Sequence, residues 1–410
     1  MERHISEDNR RINRIQFGLF CIYIFLSFFE TYLTPFFGSG TKFFLLFVLF
    51  VFLYQKKFKV KISQFWIWYF AWFIFKFLSV SWSNMSNSDF STHLLSQIGM
   101  ILFVIVLTGR EQNKHLLNAI LQANLWVSFL FGILSIIFRG AFLDEVFVAR
   151  QVLTLFGQQN DPNNCAVYLL VGITLGLYSA TIERKKIILN ALIVAVNTYA
   201  LLLTSSRAGF LTLGVIVVCL IIMPQPGYNL QIKKAGKKLL VIAAVVFVTV
   251  FIVRRYLPQV NMDRLFIWSG YEGGSGRDIR WENALQLFYQ RPIFGWGWGG
   301  YNTGVGAIHN TYLTSLCDIG IFGTILFIVP LFLIAIESIK QKNMLAFLIF
   351  ITGVLPALVL DAINKRFFWN AIVFSAMLII YMHDTGEQIS VWGFLGEQSE
   401  NHDVDVRSIQ

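Results

Sequence analysis

The chain has 410 residues, of which 56% are hydrophobic and only 14% charged, with a formal net charge of +10 and a mean hydropathy of +0.62. A soluble globular domain carries roughly a quarter of its residues as charges, so this composition excludes one and predicts a chain that lies mostly in lipid. The basic excess implies no nucleic-acid partner, because lysines beside apolar segments serve topology and attraction to the headgroups of membrane lipid.

Apolar runs near the ~20 residues needed to cross ~30 Å of hydrocarbon begin around Gln16 and recur to about Met382. They predict an all-α polytopic membrane protein of about twelve helices. The first run, Gln16 to Phe37, is too long for a signal-peptide core and has no small-residue cleavage site after it, so it reads as an uncleaved helix. Runs near 39–55, 64–80, 94–108 and 117–138 follow, rich in Phe, Leu and Ile. Glu30 and Lys76 fall near predicted helix ends, where snorkelling accounts for them. Cys21, Cys165, Cys219 and Cys317 lie in or beside apolar runs without metal-ligand spacing, which predicts packing and no disulfide framework.

With the N-terminus taken as cytoplasmic, the connections near 3–14, 56–61, 110–114, 184–186, 233–238 and 340–342 all carry Lys or Arg, as the positive-inside rule requires. The basic residues left on the other side, among them Arg150, Arg207, Arg277, Arg280 and Arg366, are nearly all arginine. Lysine suffices for topology, whereas the guanidinium fork grips phosphate or carboxylate bidentately. The outward arginines are therefore candidates for an anionic ligand. The expected organisation is one integral membrane domain over residues 1–383, with a large extracytoplasmic loop at about 254–309 between the ninth and tenth helices. Residues 384–410 form a cytoplasmic tail.

From Arg139 onward the outward side becomes more polar. A loop over 139–160 leads into Asp161-Pro162-Asn163-Asn164, Thr204 to Gly209 opens another helix, His309-Asn310 a third, and Asp361 to Arg366 the last. Each motif stands at the N-terminus of a helix running inward, where unpaired N–H groups and the helix dipole favour anions. Asp161 followed by Pro162 fits an N-cap with a first-turn proline, and Ser205 or Ser206 fits a cap for the next helix. In the large loop, Ser275-x-x-Asp278 fits a capping box for a short amphipathic helix with Arg277, Trp281, Ala284, Leu285 and Phe288 on or near one face. Gly295-x-Gly297-x-x-Gly300 matches a dinucleotide fingerprint in letters only, since no strand precedes it and no βαβ unit surrounds it. Its glycines are expected to let the backbone turn tightly. Trp296, Trp298 and Tyr301 suit either sugar stacking or interfacial anchoring.

The stretch Gly276-Arg277 with Trp281 and Ala284-Leu285, then Pro292 to Gly297, His309-Asn310-Thr311-Tyr312-Leu313 and Gly320-Ile321-Phe322-Gly323 resembles the O-antigen ligase and polymerase family of bacterial membrane glycan transferases. Asp161-Pro162-Asn163 and Ser206-Arg207-Ala208-Gly209 extend the resemblance upstream, over roughly Phe156 to Trp369. Asp318 departs from the glutamate common in the family, which leaves a direct proton-transfer role there in doubt.

The resemblance implies a metal-independent glycosyltransferase with no cofactor, in the bacterial inner membrane, acting on its extracytoplasmic face. Nucleotide-sugars do not reach that face, so the donor must carry its own activation, as a polyprenyl-diphosphate-linked oligosaccharide does. The acceptor is then a second lipid-linked glycan, for a polymerase, or lipid A-core, for a ligase, with polymerase the first expectation. A flippase and a chain-length regulator are the implied protein partners. Arg207, Arg277 and His309 are the expected catalytic residues, the arginines on the diphosphate and the histidine on the acceptor hydroxyl. Arg280, Asn163, Asn310, Tyr312, Trp281 and Arg366 are the expected substrate contacts. A transporter or flippase is the alternative of another class, and would place broken helices or polar residues at mid-depth.

Overall fold

The computed structural model describes residues 2–37, 64–108, 112–143, 149–223, 277–301 and 307–393. In chain order these form α1 (Glu2–Phe37), α2 (Gln64–Leu78), α3 (Asn87–Thr108), α4 (Lys114–Ile137), strands β1 (Arg139–Leu143), β2 (Ala149–Leu155) and β3 (Gln158–Gln159), then α5 (Pro162–Tyr178), α6 (Ile187–Thr204), α7 (Arg207–Ile222), α8 (Arg277–Gln290), α9 (Thr311–Lys340), α10 (Met344–Val354) and α11 (Arg366–Thr385). Among the described residues, seven helical segments are long and apolar enough to cross a membrane, and two shorter apolar helices accompany them. The chain is a mostly helical, multi-pass membrane protein. The helices expected over 39–55 and in the apolar run after Lys238 lie outside the described residues, as do Ser275 of the expected capping box and most of the 384–410 tail.

Successive helices pack as neighbours, α5 against α4 and α6 and α10 against α11, while α2 packs against the distant α9. Their shared interior is built largely from aromatic rings, with Trp72, Phe327, Phe368 and Trp369 in mutual contact. Large apolar side chains such as Ile67, Ile188, Leu211 and Phe332 face outward, the arrangement expected of a bundle whose solvent is lipid.

Two features depart from the sequence expectations. The segment expected as a loop over 139–160 is a three-stranded antiparallel sheet in the order β1-β2-β3. Phe156 and Gly157, both at positive φ, make the two-residue turn between β2 and β3. Two consecutive left-handed residues twist in the sense that antiparallel strands require, so a non-glycine first residue concealed a hairpin.

The second departure is a break in α9. Gly320 takes φ 64 and ψ −169, so the helix stops after Ile319 and restarts. The backbone groups freed there are taken up by the segment after α8. Ile321 N and Phe322 N donate to the carbonyls of Pro292 and Ile293 at 2.8 and 3.2 Å. Trp296 N and Gly297 N donate to those of Cys317 and Asp318 at 2.9 and 2.8 Å. Such close backbone pairing leaves no space for side chains: a Cβ on Gly295 would fall 2.5 Å from the Asp318 carbonyl oxygen, and one on Gly320 2.3 Å from that of Ile293. The glycines therefore serve a backbone splice and not a nucleotide. A broken helix is also what a transporter would use to coordinate an ion, but these four groups are already satisfied within the protein.

Candidate active site

The starts of α5 and α7 meet through Asn163 and Ser206, and the start of α9 meets the loop before α11 through His309 and Asp361; short-range capping accounts for each helix start. Asp161 caps α5 through Asn163 N (2.7 Å) and Asn164 N (3.4 Å), with Pro162 in the first turn. Ser206 caps α7 through Gly209 N at 3.2 Å, which settles the choice between Ser205 and Ser206. Asn310 caps α9 through Tyr312 N and Leu313 N, both at 3.1 Å. These caps place Arg207 as the first residue of α7 and His309 immediately before the cap of α9.

His309 is held against the loop between α10 and α11. Its backbone N–H donates to Asp361 Oδ2 at 3.1 Å, and Nδ1 lies 3.7 Å from the same oxygen. Asp361 Oδ1 accepts from Thr314 Oγ1 at 2.9 Å. On either side of Asp361, Thr311 Oγ1 donates to the Leu360 carbonyl and accepts from Ala362 N at 2.7 Å. Each residue of the His309-Asn310-Thr311 run thus has a separate task around one carboxylate. His309 itself sits at φ 54, a left-handed conformation that costs about 1–3 kcal/mol in a non-glycine residue and persists only where its surroundings impose it. With Nδ1 turned to Asp361, Nε2 is the ring nitrogen on the side away from the carboxylate, and the side chain is one-third exposed.

The amphipathic helix of the large loop forms as α8, with Arg277 at its start and Ala284 fully buried. Trp281, Leu287 and Phe288 pack with Ala284 against Ile308, Leu313 and Cys317 in a small separate core. Leu285, expected on this face, is exposed, and Leu287 packs there instead. Trp281 Nε1 donates to the Ile308 carbonyl at 3.0 Å. The helix that begins with Arg277 is therefore tied to the residue preceding His309. Arg277, Arg280 and Arg207 are all half-buried.

Several expected substrate contacts direct their polar groups at the protein. Asn163 is buried, and its Oδ1 accepts from Ser206 Oγ at 2.8 Å and Arg150 Nη2 at 3.0 Å. Asn310 Oδ1 is occupied in its cap. The Tyr312 hydroxyl donates to the Val354 carbonyl at 2.9 Å. Arg366 forms a bidentate pair with Glu30, Nε to Oε2 at 2.7 Å and Nη2 to Oε1 at 3.2 Å. Glu30 is therefore an ion-pair partner and not a snorkelling residue.

Lys76 corrects the snorkelling expectation a second time. It is buried, with Nζ 4.7 Å from the ring centre of Trp298 and 5.2 Å from that of Trp72, and it interacts electrostatically with Asp318. Asp318 also accepts from Gly299 N at 2.9 Å. The carboxylate at the position where the sequence departs from the family pattern is thus spent on holding the glycine segment. Trp298 is buried, and Trp296 Nε1 donates to the Leu287 carbonyl at 2.9 Å, so both rings have structural roles. Tyr301, half-buried near Asp318 and Asp361, has its phenol pushed well above the usual range by burial, with both carboxylates adding to the effect. It therefore remains a hydroxyl donor throughout the physiological range.

Sequence reasoning counted Arg150 among the outward arginines open to an anionic ligand and missed its role as a brace. It lies in β2, is buried, and donates from Nε to the Thr204 carbonyl at 2.8 Å as well as to Asn163. One guanidinium therefore joins the end of α6 to the start of α5, directly beneath the turn that presents Arg207. Replacing Arg150 by alanine removes two charge-assisted hydrogen bonds and strands buried acceptors, an expected loss of about 3 kcal/mol. The check is the thermal unfolding midpoint in detergent, which should fall for both Arg150→Ala and Arg150→Lys, since an ammonium does not span both acceptors. An unchanged midpoint in both would show that the fork does not hold this turn.

The polar groups at these helix starts and loops include a histidine backed by a carboxylate, two arginines that each open a helix, and a tyrosine held as a phenol. They suit transfer to a hydroxyl with an anionic leaving group. No curated protein matches the chain. Residues 191–328, which contain Arg207, Arg277, Trp281, His309 and the break in α9, match the family model described as O-Antigen ligase.

Proposed function

We propose that the chain transfers a glycan from a polyprenyl-diphosphate donor to a sugar hydroxyl at the outer face of the bacterial inner membrane, and that it polymerises repeat units of a surface polysaccharide. The observation that supports this reading is the joining of His309 to Asp361, in a chain that also presents Arg207 and Arg277 as the first residues of helices. In the mechanism, Arg207 and Arg277 bind the donor diphosphate and stabilise the negative charge that grows on it as the glycosidic bond breaks. Asp361 orients the His309 ring, and Nε2 accepts the proton of the acceptor hydroxyl as that oxygen attacks the anomeric carbon. The new glycosidic bond replaces the bond to phosphate, and the polyprenyl diphosphate leaves with its electron pair. Asn163, Asn310, Trp281 and Tyr312 act as positioning residues, because their polar groups are bonded to protein. Arg280, one helical turn from Arg277, is proposed to contact the donor.

Ligation to lipid A-core is the second reading, favoured by the description of the matched family model. Purified protein in lipid with lipid-linked repeat units alone separates the two. A ladder of longer lipid-linked products is expected. Transfer that appears only when lipid A-core is added would establish ligation, and no transfer under either condition would overturn the proposal.

A further inference from the structure

A cavity of about 420 Å³ opens among the ends of α1, α3, α5 and α11 and the β2–β3 hairpin. Its size falls in the range of small-ligand sites. Its lining combines uncharged polar groups with three charged ones, Glu30, Lys365 and Arg366. Gln158, Asn160, Asn164 and Asn364 contribute amides, and Ser96 and Thr34 contribute hydroxyls. The amides are held in place in advance: Asn164 Nδ2 donates to Asn160 Oδ1 at 3.1 Å, and Gln97 donates to Asn364 Oδ1. Arg366 and Lys365 also line the cavity; the Arg366 guanidinium is met bidentately by Glu30 and Lys365 is exposed to solvent, so the buried wall offers a neutralised pair and the ammonium lies at the rim.

We propose that this cavity binds the uncharged sugar portion of the acceptor glycan. Preset amides and hydroxyls around a paired carboxylate match the alternating donors and acceptors of a polyol, whereas a diphosphate would find its one buried guanidinium already engaged. The position also fits. Asn364 stands three residues after Asp361, a stretch that spans at most about 11 Å, and Asp361 contacts His309. A sugar seated here reaches the His309 ring within a short oligosaccharide. None of the lining residues lies in the segment that matches the family model, so sugar preference can differ here while the transfer chemistry stays in the shared segment. The inference rests on the proposed transferase function.

The test uses full-length protein in lipid nanodiscs and two probes: inorganic pyrophosphate, and the oligosaccharide released by mild acid from the host's own lipid-linked repeat unit. Ser96→Trp fills the cavity, and Gln158→Ala removes one amide near its rim. Both are expected to weaken oligosaccharide binding, Ser96→Trp by about tenfold or more, equivalent to ~1.4 kcal/mol, and to raise the acceptor KM more than they lower kcat. Pyrophosphate affinity should stay at the wild-type value in each, which also reports an intact fold. Oligosaccharide binding at wild-type strength in either variant overturns the inference. Failure of the transferase reading looks different: wild-type protein would then transfer no glycan to any acceptor, whatever the cavity variants bind.

Discussion

Replacing His309 by alanine is expected to lower glycan transfer by about 10²–10⁴-fold, the range over which a positioned general base contributes, with membrane insertion and thermal stability close to wild type. The ring is one-third exposed. The fixed elements around it do not use the His309 side chain: the His309 N–H on Asp361, the Asn310 cap and the Thr311 clamp. Those bonds survive truncation of the side chain, although the left-handed φ of 54 persists as local strain. Asp361→Asn should lower transfer less, by about ten- to a hundredfold, because a 3.7 Å separation is longer than a hydrogen bond and orients the ring without fully fixing its tautomer. Turnover measured on reconstituted protein decides both. His309→Ala that folds and transfers at more than about a tenth of the wild-type rate would remove the histidine from the mechanism.

What could be seen in the sequence follows the range of the interactions involved. The caps at Asp161, Ser206 and Asn310 are bonds across two or three residues, so the residue types at fixed offsets reveal them. The membrane class follows from run length and composition, which need no partner. The Glu30–Arg366 pair joins residues at opposite ends of the chain, and the Arg150 fork joins a strand to two helices. Each half alone resembles an ordinary interfacial charge. A charged residue in an apolar helix does raise the question of its partner, and for Glu30 that question was the available signal. The glycine segment had the most conspicuous composition and was the hardest to interpret. Its purpose is stated only by the second backbone, the broken turn of α9, against which Gly295 and Gly320 lie.

The same distinction sorts the arginines. Guanidinium groups at one end of the bundle looked equivalent in sequence, yet the protein uses them differently. Arg150 is a buried brace and Arg366 is matched by a carboxylate. Arg291 lies over the Trp296 ring, 4.2 Å from its centre. Arg207 and Arg277 differ in position, since each is the first residue of a helix, α7 and α8, where the helix dipole adds to its own charge.

Arg277→Ala is accordingly expected to reduce turnover by about 10²–10³-fold, or ~3–4 kcal/mol of transition-state stabilisation, and Arg207→Ala by a similar factor. Because the charge on the leaving diphosphate grows as the bond breaks, the loss should fall mainly on kcat and less on the donor KM. Lysine at either position should restore only part of the rate, since an ammonium supplies the charge without the two-pronged geometry. If both arginines act on one diphosphate, the double variant will lose less than the product of the single losses, because a group deprived of one partner no longer positions the other. Strictly multiplicative losses would place the two arginines on separate anions. An Arg277→Ala protein with unchanged kcat would show that the start of α8 serves only to carry Trp281 to the His309 segment.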